Sequence, residues 1–128
     1  MKSQELLQQT LNHKEPEPIV LEMGSSPTSG IHIRALEKLR AYYGLENSHV
    51  RVIEAYQMLG LVEPDLMEAI GIDVIGAWGY DNMFGYNNQG QFKLFKTFWG
   101  HEVLVPKKFN TNTFLVLWNK AFDRMNTY

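Results

Sequence analysis

The side chains able to do acid–base, metal or anion chemistry are few and dispersed. The four histidines are His13, His32, His49 and His101, and none lies three or four residues from another. The helical spacing of a preformed histidine metal site is therefore missing. The chain has no cysteine, which excludes disulfides, thiolate nucleophiles and thiolate metal ligands together. No metal site is expected, and the plain reading of most of the histidines is a surface or loop residue. His32 stands apart because it follows the small-residue loop Gly24-Ser25-Ser26-Pro27-Thr28-Ser29-Gly30 and begins a helical segment.

That loop is one place for anion chemistry. Backbone N–H groups at a helix start point outward, and the helix dipole favours negative charge there. The loop matches neither the G-x-x-x-x-G-K-[ST] pattern nor G-x-G-x-x-G, and its plain reading is a turn that needs small residues. Two carboxylates also merit naming. Asp73 opens an apolar run, where capping or solvation is the ordinary role. Asp81 follows the C-terminal end of that run, the position at which parallel α/β architectures bind ligands. Asp81-Asn82 is also a good turn former. Trp78 and Tyr80 are placed to flank a ligand, or to pack in the core.

The elements that must position these residues follow from periodicity and punctuation. Residues 3–13 predict a short helix with Ser3 as its cap, Leu7 and Leu11 on its apolar stripe, and Pro16 and Pro18 beyond it. Ile19–Met23 and Ile72–Trp78 read as strands covered on both faces, as in a parallel sheet. Residues 31–43 predict a helix stopped by Gly44. Val50–Ile53 reads either as extended or as the start of a helix running to Leu61. Pro64 opens a helix that Gly71 ends. Gln91–Phe95 and Glu102–Val105 predict an antiparallel hairpin. Phe92, Phe95, Phe98 and Trp99 resemble a stacking platform, but with few interleaved lysines the better reading is packing on the domain. Phe114, Trp118, Phe122 and Met125 form a helical stripe, with a strand over 113–118 as the rival.

Composition bounds the rest. The 128 residues suit one domain, and 12 basic against 14 acidic side chains give a net charge of −2. Such a balance carries no footprint for nucleic acid. No run approaches the roughly 18 apolar residues of a membrane span, and the N-terminus is too polar for a secretory signal. A cytoplasmic protein without membrane association is expected.

Several of these segments, in order, resemble the N-terminal part of the uroporphyrinogen decarboxylase family. They are Asn12-His13-Lys14-Glu15-Pro16, Gly30-Ile31-His32, Glu37-Lys38-Leu39-Arg40, Tyr43-Gly44-Leu45, Val50-Arg51-Val52, Gly71-Ile72-Asp73-Val74-Ile75 and Phe98-Trp99-Gly100. The resemblance spans roughly residues 1–110 and fades after Phe109-Asn110-Thr111, so that 112–128 read as a divergent tail. The family comprises cofactor-free decarboxylases of porphyrinogens and zinc- and corrinoid-linked methyltransferases. Its fold implies an α/β architecture, here a partial (β/α)8 TIM barrel with N-terminal helices, the first two or three strands and an antiparallel hairpin. A barrel takes about 250 residues, so the resemblance implies a single-domain fragment, catalytically incomplete alone.

The decarboxylase branch carries an arginine-rich loop after its first strand. The corresponding Gly24–Gly30 stretch has no arginine, which argues against uroporphyrinogen as substrate. The branch also uses an aspartate near the position of Asp81. The methyltransferase zinc ligands lie in a C-terminal part that these residues do not contain. The candidate residues are thus Asp81 for catalysis and Ser25, His32 and Tyr80 for substrate binding, with no cofactor expected. The expected partner is a second copy or a complementing barrel half. The alternatives are half of an assembled decarboxylase or corrinoid-linked methyltransferase, and an unrelated small α+β interaction domain.

Overall fold

The computed structural model describes residues 2–46, 48–79, 90–97, 99–110 and 112. Among them are three α-helices and two small antiparallel sheets. The elements are α1 (Ser3–Leu11), β1 (Ile31–His32), α2 (Ile33–Tyr42), β2 (Val52–Glu54), β3 (Leu59–Gly60), α3 (Pro64–Ile70), β4 (Phe92–Lys96) and β5 (Glu102–Pro106).

α1 is shorter than its expected span. Asn12 closes it, and His13 adopts a left-handed conformation with φ 57°, so the helix stops before the prolines are reached. Ser3 is not the cap. It is the first helical residue, and its hydroxyl donates to Asp73 Oδ1 at 2.7 Å. α2 and α3 follow the expected pattern, with Gly44 and Gly71 beyond them at φ 66° and 86°.

The ambiguous segment at 50–61 is extended. Val52 and Ile53 are β-branched and suit a strand. The buried Glu54 carboxylate then accepts the backbone N–H groups of Tyr56 (2.7 Å) and Gln57 (2.6 Å), which turns the chain back into β3. β1 and β2 both pair antiparallel with β3, in the order β1-β3-β2. β4 and β5 form the expected hairpin, with Phe92 opposite Pro106 and Lys96 opposite Glu102.

The two parallel strands expected at 19–23 and 72–78 are reduced to a single parallel bridge, Glu22 to Val74. The reason lies in Asp73. Its N–H donates to the Leu21 carbonyl at 2.8 Å, while its own carboxylate accepts the Leu21 N–H at 3.0 Å. A side chain thus occupies a donor that a longer ladder needs. Here Gly76 runs so close to the Ser25 backbone that a Cβ would collide with the Ser25 carbonyl.

One core joins the two sheets. Ile33 and Leu36 of α2, Val50 and Val52 around β2, Val62, Leu66 of α3, and Val103 and Val105 of β5 belong to a single buried cluster. The hairpin is tied in by the Leu104 N–H, which donates to the Val50 carbonyl at 2.9 Å. Arg40 is the polar strut of this layer. Its buried guanidinium donates to both Asp65 carboxylate oxygens (2.9 and 2.8 Å) and to the Glu46 carbonyl.

Arg40→Ala should destabilise the fold by about 2–3 kcal/mol, below the full cost of breaking a buried pair because Asp65 keeps contact with water. Gly76→Ala should cost about 1–3 kcal/mol through overpacking against Ser25. Urea midpoints of the two variants against the parent chain check both values.

Candidate functional site

The Gly24–Gly30 loop is built around an internal carboxylate. Gly24 is left-handed at φ 79°, and its N–H donates to the Ser29 carbonyl at 2.9 Å, which closes the loop. Glu22 then reaches in. Its Oε1 accepts the Ser25 N–H at 2.8 Å and the Ser29 hydroxyl at 2.7 Å. Those bonds, the Ser25 and Ser29 contacts first, lower the Glu22 pKa. The loop's own donors therefore already hold the chain's own carboxylate, while the helix-start N–H groups expected to meet an external anion are taken by the Met58 carbonyl (Ile33 N–H) and by His32 Nδ1 (Arg34 N–H).

Ser25, a candidate for substrate binding, is thus committed through its backbone to Glu22. His32 lies elsewhere. It caps α2, its Nδ1 accepting the Arg34 N–H at 3.2 Å, and its ring sits 6.4 Å from that of Trp99. No hydrogen bond links Ser25 and His32 among the described residues. Tyr80 and Asp81, the other two candidates, lie outside the described residues, as does the C-terminal stripe from Phe114 to Met125.

A second arrangement was not foreseen from the sequence. The tip of the β4–β5 hairpin is a compact turn in which the Thr97 N–H donates to the His101 carbonyl (2.8 Å) and the His101 N–H to the Thr97 hydroxyl (3.0 Å). Gly100 turns the chain at φ 89°. The tip faces α2, and His101 Nδ1 comes within 3.3 Å of Glu37 Oε2. Glu37, Ser48, His49, Lys96, His101 and Glu102 line an open cleft of about 350 Å3 there. Glu37 and His101 are 64 residues apart, so no local spacing announces the pair.

The adjoining groove is chemically different. Arg40 is engaged by Asp65, and Arg51 by Glu63 through two bonds of 2.8 and 3.0 Å. Both of its arginines are already paired. No group of three or more histidine, aspartate or glutamate side chains suited to a metal ion occurs among the described residues. No helix among them is long and apolar enough to cross a membrane. No family model, curated protein or solved structure matches the sequence.

Desolvation first, then the Arg34 charge, lowers the His32 pKa below its ordinary value of about 6.5. Protonation also removes the Nδ1 lone pair that caps α2. The His32 contribution to stability is therefore full above about pH 6.5 and is lost as pH falls through the folded-state value. A histidine NMR titration should place the His32 midpoint below 6.5, and His32→Asn, which keeps a capping oxygen, should flatten this part of the pH–stability curve. Glu22, Asp65 and Asp73 are lowered too, by their hydrogen bonds. Their contribution holds above about pH 4 and disappears on further acidification. Asp73→Asn should shrink that acid loss in urea titrations at stepped pH.

Proposed function

We propose that these residues form the N-terminal portion of a uroporphyrinogen-decarboxylase-like barrel, completed by strands from another copy or from a complementing half. The supporting observation is the parallel approach of residues 21–22 to 73–74. Between them the chain passes through a small-residue loop, α2, the antiparallel β1-β3-β2 sheet and α3. A strand, a loop at its C-terminal end and a covering helix are the units that a (β/α)8 barrel repeats.

Exposed apolar side chains support the same reading. Ile19 and Ile75 are 84% and 74% exposed, although both lie on the segments that pair in parallel. Parallel strands are normally covered on both faces, and unpaired edges recruit further strands. In this reading Asp81 acts as electrostatic stabiliser or general acid with Tyr80 toward the substrate, while Ser25 and His32, held by Glu22 and by the α2 cap, keep local roles. The reaction class is decarboxylation or methyl transfer. The absence of arginine from Gly24–Gly30 argues against a substrate with the many carboxylates of uroporphyrinogen. Two or three strands cannot close a ring of eight, so the residues alone are catalytically incomplete.

Size-exclusion chromatography with light scattering tests the reading. The expected result is a mass above that of the 14.8 kDa chain, rising with concentration. Ile19→Lys combined with Ile75→Lys should return it to monomer. A parent chain that stays monomeric at every concentration overturns the proposal and favours the small α+β interaction domain.

A further inference from the structure

We draw no further inference here: the strongest candidate, the exposed apolar surface of Ile19, Leu21 and Ile75 on the two segments joined by the Glu22–Val74 bridge, belongs to the assembly surface already proposed, and nothing in the structure shows what else covers it.

Discussion

An isolated two-stranded hairpin is marginal in water, and in this protein everything about the hairpin depends on where it docks. The inward side chains of β5, Val103 and Val105, are almost wholly buried and join the core built by α2, α3 and β2. The Leu104 N–H completes the attachment by reaching the Val50 carbonyl. Because β5 is clamped at its middle, the turn that precedes it has a fixed place over α2. The approach of His101 to Glu37 is therefore a consequence of apolar burial, not of attraction between the two groups. A half-exposed pair of this kind would add little to stability by itself.

The polar contacts divide into two sorts. Arg40 with Asp65 and Glu46, and Glu54 with the Tyr56 and Gln57 amides, answer a need created by burial. A buried guanidinium or carboxylate without such partners costs several kcal/mol, so these side chains are bound to their neighbours. Lys96, His49 and Glu102 stand where water satisfies them and packing does not direct them. The contrast between the groove around Arg40 and the cleft around His101 follows from that difference.

Much of the local structure was legible in the sequence. The stops at Gly44 and Gly71, the proline-initiated α3 and the antiparallel hairpin all rest on local rules, and the structure has them. What escaped was long-range or was decided by a single side chain. Asp73 substitutes its carboxylate for a ladder acceptor and cuts a parallel pairing to one bridge. Ser3 looks like a cap but serves as a donor to that same aspartate. The Glu37–His101 pair joins a helix face to a turn 64 residues away, and periodicity carries no information about such a meeting. Of the candidate site residues, Ser25 and His32 are placed in separate surroundings.

The carboxylate folded into the Gly24–Gly30 loop has one further effect. Glu22 is tethered only three residues from Ser25, so the loop donors see it at an effective concentration on the order of millimolar or above. A free anion has to outcompete this resident group before it gains a single bond, and it does so while Glu22 repels it. The loop is selective by prior occupation: weak anions at ordinary concentrations are shut out, and acid that neutralises Glu22 is what opens it.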